Sequence, residues 1–285
     1  MERIIATTDF SENSRPGIRF AIQLAQSRNA ELILVHVYEV LRATFWTDQV
    51  YEQFIERGRE AIMRDYPDFV RTTYHSIGLT PPADLKTVAH HNLDPVDGII
   101  EFARQQNASY ICIATRGAGL LRKIFGTNTS KLIRLSPVPV ICVPGSYQFA
   151  PISKIMYASD MKDYSAELSQ VVAFARPMNA RVELLHIAWS YEMDTDKEAL
   201  EQELKAQHNY EVQLHYQPND LDNGLLDQIN NAVERSEPSL LVFFTHQDRD
   251  LYDRLLLSGN AKDFSFDPTI PMLSIPKSPE TGNSA

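Results

Sequence analysis

The chain has little cysteine, no long apolar run and a deficit of positive charge. Cys112 and Cys142 are the only cysteines in 285 residues, and each sits inside an apolar, strand-like stretch. That excludes a disulfide framework and suits buried thiols in a reducing compartment. No apolar run approaches the roughly 20 residues a membrane-spanning helix needs. The start, "MERIIATTDF", lacks the basic residues and long apolar core of a secretory signal, so the expected location is the cytoplasm, with no membrane partner. Lys and Arg total 27 against 37 Asp and Glu, a formal net charge of −10. This argues against nucleic acid as a partner, because phosphate backbones are bound by concentrated Lys and Arg. Metal-ligand spacing is missing too. His36 and His186 stand singly at strand ends, while the adjacent His90 and His91 would point to opposite faces of a strand. No metal site is expected.

What is present is a repeat. "RIIATTDFSENSRPGIRFAIQLAQSRNAELILVHV", residues 3–37, returns as "KIMYASDMKDYSAELSQVVAFARPMNARVELLHI", residues 154–187, pairing Asp9 with Asp160, Asn29 with Asn179 and His36 with His186. Later parts repeat more faintly: Gly98 pairs with Gly224, "ASYICIATRG" with "PSLLVFFTHQ", and "SPVPVICVP" with "DPTIPMLSIP". A period of this size is a domain length, not a solenoid unit. The expected organisation is a first domain over 1–147, a second over 148–277 and a disordered tail over 278–285, with a short linker in "PGSYQFAPIS".

In the first half, "RIIATT", "AELILVHV", "LKTVAH", "SYICIA" and "PVICV" are apolar nearly throughout, as strands covered on both faces are. Between the first two, Ile18, Ala21, Ile22 and Ala25 mark one face of a helix, with Asn13 or Ser14 as its cap and Pro16 in its first turn. A second helix is predicted from Thr47 to Met63 with Val50, Phe54, Gly58 and Ile62 inward, Phe45 and Trp46 packing on the sheet, and Glu52, Gln53, Glu56 and Arg59 forming a solvated face. A third is predicted over Asp94 to Gln106 and a fourth over Thr127 to Leu135. Alternating strands and helices predict α/β architecture: two tandem three-layer α/β/α domains, each a five-stranded parallel sheet with about four helices. Ligands of such sheets sit at the carboxyl ends of the strands, where strand order reverses.

Gly117 follows the fourth strand, and Gly126-Thr127 opens the next helix. Glycine there lets backbone amides approach a ligand, and a helix start offers unpaired N–H groups to an anion. Arg116, Arg122 and Lys123 add local positive charge. The spacing is neither a Walker A loop nor a Rossmann fingerprint. Loop glycines beside a simple cap remain the plain alternative, and Asp9 has one as well, since Asp before a helix is often a turn residue.

These residues resemble the universal stress protein family in its tandem, two-domain form. The loop resembles the family's Gly-x-x-Gly, nine residues, then Gly-Ser/Thr, followed by a helix and a strand like "PVPVICVP"; "TTDFSENS", residues 7–14, is similar to the family's first strand-to-helix turn. The resemblance implies a Rossmann-like sheet in the order 3-2-1-4-5 and an ATP- or AMP-binding crevice between strands 1 and 4, with Mg as a possible companion. By position, Thr7 and Asp9 would meet the adenine side, Val37 would pack on the base, and Gly117, Gly126, Thr127 and Asn128 would hold ribose and phosphates, with Arg116 beside them. Two departures stand out. Ala114 replaces the family's first glycine, and eight residues separate Gly117 from Gly126. In the second half Phe244, Gln247 and Ser258-Gly259 occupy the loop positions, so only the first half is expected to bind.

The resemblance also implies a pseudo-dimer of the two halves through "VPVICVP" and "TIPMLSI", open to further homodimerisation and to a protein partner. No nucleophile with a general base stands beside the loop, so the expected function is nucleotide-dependent regulation in stress response and not enzyme catalysis. The alternatives are a scaffold that binds no nucleotide and a slow ATP hydrolase.

Overall fold

The computed structural model describes residues 1–115, 127–189, 196–245 and 270–277. Arg116, Gly117, Arg122, Lys123, Gly126, Gln247, Ser258, Gly259 and the tail 278–285 lie outside the described residues, as does the side chain of Thr127. The chain divides into two compact units, parted between Ala150 and Pro151.

In unit 1 the apolar segments become parallel strands β1 (Arg3–Thr7), β2 (Glu31–Tyr38), β3 (Lys86–His91), β4 (Tyr110–Ala114) and β5 (Val140–Val143), in the order β3-β2-β1-β4-β5. Helices α1 (Arg15–Arg28), α2 (Asp48–His75), α3 (Pro95–Gln105) and α4 (Thr127–Leu135) connect them. Right-handed crossovers place α1 and α2 on one face and α3 and α4 on the other, and each pair is in contact. The central strands carry Ile4, Ile5, Ala6, Ile111 and Cys112, all fully buried, because both faces are covered. Cys112 and Cys142 are free and buried, and loss of hydration pushes both thiols up, away from reactivity.

Unit 2 repeats the order as β8-β7-β6-β9-β10, with β6 (Lys154–Ala158), β7 (Arg181–Ala188), β8 (Val212–Pro218), β9 (Leu240–Thr245) and β10 (Met272–Pro276), all parallel. Among the described residues it has three helices, α5 (Tyr164–Ala175), α6 (Lys197–His208) and α7 (Leu225–Ser236). The repeated Asn-Ala pairs acquire a reason here. Asn29 and Asn179 end their helical segments in the left-handed region, at φ 50° and 51°, which Asn tolerates better than most residues. Among the described residues no helix is long and apolar enough to cross a membrane.

Four expectations are corrected. The second helix does not stop at Met63 but runs on to His75, through Pro67. Its fully buried residues are Tyr66, Phe69, Val70, Thr73 and Tyr74, so the anchoring face lies beyond the predicted segment; burial of three aromatic rings outweighs the one hydrogen bond that Pro67 removes. Phe54 is flank-exposed and stacks on Trp46 at 4.2 Å, while Phe45 is 82% exposed, so this aromatic group packs on itself and not on the sheet. Ser14 stands at the N-cap of α1, but its side chain makes no capping bond to the helix. A 3-10 turn over Glu12–Ser14 precedes that helix, and the Ser14 hydroxyl donates to the Ser11 carbonyl at 2.8 Å instead. Finally, Gly224 is the N-cap of α7 and so stands where Asp94 does on α3; the position of Gly98, four residues on, is taken by buried Gln228.

Candidate functional site

Strand order reverses at β1 and β4, and at their carboxyl ends a cavity of about 350 Å³ opens. Strand ends β1, β2 and β4 supply Thr7, Val35, Val37, Ile113 and Ala114; the first turn of α3 supplies Pro95 and Ile99; α4 supplies Asn128 and Thr129. The β1–α1 turn closes the rim with Thr8, Asp9, Asn13 and Ser14. The result is an apolar floor between two strands and a helix, bordered by hydroxyl, amide and carboxylate groups. Such a chamber suits a flat, partly apolar ligand with polar edges.

Five of the residues proposed from sequence, Thr7, Asp9, Val37, Ala114 and Asn128, meet around this cavity. Thr127 opens α4 next to them. Arg116, Gly117 and Gly126 lie outside the described residues. The sequence reading missed Val35, Ile113, Pro95, Ile99 and Thr129. Strand period could have found Val35, which pairs in register with Thr7 and shares a strand face with Val37, whereas nothing local marks Pro95, Ile99 or Thr129.

Helix α3 reaches the floor only because Gly98 has no side chain. A Cβ there would lie 2.7 Å from Val37 Cγ1 and 2.7 Å from Asn92 Cβ. Asp94 fixes the same helix, accepting from the amides of Val96 at 2.9 Å and Asp97 at 3.0 Å while its second oxygen takes Lys131 Nζ of α4 at 2.7 Å. The Lys131 ammonium, with those amides, holds the Asp94 carboxyl below its ordinary value. Replacing Asp94 by Ala is therefore expected to cost about 1 kcal/mol, and by Asn only a few tenths, because Asn still caps and loses only a solvent-screened pair. A carboxyl lowered in the fold stabilises above the ordinary value of 3.8 and loses that contribution as pH falls through the lowered one. Urea midpoints should thus separate parent from Asp94→Asn near neutral pH and draw together as pH falls from 3.8 through the lowered value; a gap that does not narrow in acid would contradict the assignment.

The turn carrying Asp9 is held from within. Asp9 Oδ1 accepts from the Ser11 amide at 3.0 Å and hydroxyl at 2.6 Å. Partial burial pushes this carboxyl up, but those donors outweigh it and the net shift is downward, so the group is an anion at neutral pH. Asp160 accepts the Lys162 amide at 3.0 Å in the same way, so a turn role is common to both units. In unit 1, Asp9 also lines the cavity rim. The next residue, Phe10, has φ 60°, a costly conformation for an aromatic residue, and its ring rests on His36, Tyr66 and Phe69 at 4.9, 4.9 and 5.2 Å. Met161 repeats it at φ 63°. His36 Nδ1 lies 2.7 Å from the Thr8 carbonyl, which can only accept, so this nitrogen carries a hydrogen; His186 repeats the contact with Ser159 at 3.0 Å. Both histidines are accounted for as strand-end braces. His90 and His91 contact different neighbours, Phe102 and Glu101 against Tyr38 and Tyr51. Among the described residues no three His, Cys, Asp or Glu side chains are grouped to hold a metal.

Comparison with known proteins gives concordant results. The model of the Universal stress protein family matches residues 1–144. A universal stress protein of Thermus aquaticus is 27% identical over 143 residues, covering 49% of this chain and 96% of that protein. Universal stress protein YxiE of Bacillus subtilis is 25% identical over 146 residues, covering 50% and 97%. Across both units, the crystal structure of a universal stress protein from Archaeoglobus fulgidus aligns with a TM-score of 0.65 at 16% identity, covering 96% of each chain, which is a likeness of fold.

Proposed function

Because this chain belongs to the universal stress protein family, we propose that unit 1 binds an adenine nucleotide, ATP or AMP, in the crevice between β1 and β4 and acts as a stress-response regulator without efficient catalysis. The observation that carries this reading is the convergence of Thr7, Asp9, Val37, Ala114 and Asn128 on one cavity at the switch point. The base would lie on Val37 and Ile99, with Thr7 and Asp9 at its polar edge. Asn128 and the amides at the start of α4 would meet ribose and phosphate, helped by Arg116, Gly117, Gly126 and Thr127. A bound nucleotide supplies charge and binding energy here, and no bond need break. Against catalysis stands the use already made of each candidate group. The Ser14 hydroxyl is bonded to Thr8 and to the Ser11 carbonyl, and Asp9 is tied into its turn. A turnover above about one per second would overturn this part of the reading.

The direct test is to denature freshly purified protein and identify any released nucleotide, beside two variants. Val37→Asp sets a carboxylate on the apolar floor, and Gly126→Val sets a branched side chain in the loop. ATP or AMP released by the parent and by neither variant is the expected result. If the parent releases none and binds no added ATP or AMP, the second reading takes over: a scaffold that works by protein contact alone. Ala114, which lines the cavity where the family's first loop glycine would stand, favours it.

A further inference from the structure

Unit 2 differs from unit 1 most at the junction between its first helix and its sheet. In unit 1 that junction is lean. Ala6 faces it from β1 and Ala114 from β4, and Gly17 of α1 comes so near that a Cβ would lie 2.7 Å from the Ala114 main-chain nitrogen. The corresponding positions of unit 2 are all large. Tyr157 pairs with Leu184 and Val242 as Ala6 pairs with Leu34 and Cys112; Phe244 stands for Ala114, and Glu167 of α5 for Gly17. Lys277 follows Pro276 as Gly145 follows Pro144.

These side chains are bonded to one another. The Tyr157 hydroxyl donates to Glu167 Oε2 and lies 2.9 Å from Ser159 Oγ, while its ring meets Phe244 edge-on at 5.6 Å. Lys277 Nζ reaches Glu167 Oε1 at 2.5 Å and Asp163 Oδ2, just before α5, at 2.9 Å. Tyr157 is fully buried, Glu167 is 5% exposed, and the Lys277 side chain 14%. Burial alone would pull the Lys277 amine down, yet Glu167 and Asp163 reverse that and hold it charged.

We infer that Tyr157, Glu167 and Lys277 form an internal latch that pins the start of α5 to its sheet, making unit 2 the half whose helix–sheet junction is fixed by its own charges. In unit 1 the corresponding ground is taken up by the close approach of Gly17 to the β4 main chain. The physics is that of a buried ion pair: removing one partner strands the other in a dry site, whereas neutralising both removes the cost together with the attraction.

The test is hydrogen exchange of the full chain, read by mass spectrometry on amides 157–168 and, as the internal control, 6–18. Lys277→Met is expected to lower protection of 157–168 by about tenfold or more and to leave 6–18 unchanged. The double variant Glu167→Gln/Lys277→Met is expected to regain protection to within about threefold of the parent. Should Lys277→Met not fold, Tyr157→Phe keeps the ring, removes the hydroxyl and is expected to lower protection of the same amides about threefold. Unchanged protection in the single variants, a double variant as unprotected as Lys277→Met, or equal losses in 6–18 would each overturn the latch. What unit 1 binds has no bearing on any of these outcomes.

Discussion

A Gly17→Val chain is expected to lose about 3 kcal/mol of stability and most of its ligand affinity, although the substitution lies in a helix where glycine is ordinarily a weakness. Gly→Ala in an open helix gains up to about 1 kcal/mol. Here the new Cβ would sit 2.7 Å from Ala114 N, 3.2 Å from Ile113 C and 3.3 Å from Ala114 Cα, all main-chain atoms that cannot swing aside. The helix must lift, and it carries Asn13 and Ser14 of the cavity rim with it. Gly17→Ala should cost about half as much, since the intrusion is smaller and the helix propensity gain opposes it. Gly58→Ala is the comparison: its Cβ would meet the Tyr38 ring at 2.9 Å, a side chain and not main chain, so a smaller loss is expected. Urea unfolding followed by circular dichroism, with nucleotide titration calorimetry on the same samples, checks all three. Equal effects at Gly17 and Gly58 would refute the close-approach account. Glu167, at the position of Gly17 in unit 2, shows that a large residue is accepted there only where the rest of the junction is rebuilt around it.

Tyr66→Ala is expected to destabilise by about 3–5 kcal/mol, the usual range for deleting a buried aromatic side chain. Tyr66 is 1% exposed, and its hydroxyl donates to the Val88 carbonyl at 2.9 Å and lies 3.3 Å from that of Leu34, joining α2 to β3 and β2. Its ring also supports Phe10, one residue after Asp9. Without that support the left-handed turn at Phe10 has less to hold it, and the polar edge of the cavity loosens. Tyr66→Phe keeps the ring and should cost only about 1 kcal/mol, with the ligand site intact. Unfolding midpoints and nucleotide affinity measured together distinguish the cases. A Tyr66→Ala chain with parent-like stability would mean that the second half of α2 is not an anchor.

How far the chain could be read without coordinates depended on the range of the interactions involved. The strands and their alternation with helices, the α1 face of Ile18, Ala21, Ile22 and Ala25, and the span of α4 follow from local patterning and from a repeat that states the same pattern twice, whereas the sheet order came from the resemblance to the family. Helix α2 runs past its predicted end at Met63 and through Pro67, and the contacts that hold it there, from Arg15 to Thr72 and Thr73 at 2.9 and 2.7 Å, join residues more than fifty positions apart. The same holds at the site. Asp9, Thr7 and Val37 were marked by the resemblance to the family, but Pro95, Ile99 and Thr129 enter the cavity only through packing of α3 and α4 against the sheet.

The sequence by itself determined the α/β class and the repeated pattern of its two halves, since periodicity, turn residues and strand alternation act over neighbours in the chain. Only the tertiary structure decided which glycine is indispensable, where α2 anchors, and that Tyr157, Glu167 and Lys277 close on one another. Those outcomes depend on distances between segments far apart in sequence, where a single Cβ or one buried charge changes the free energy by more than any local preference does.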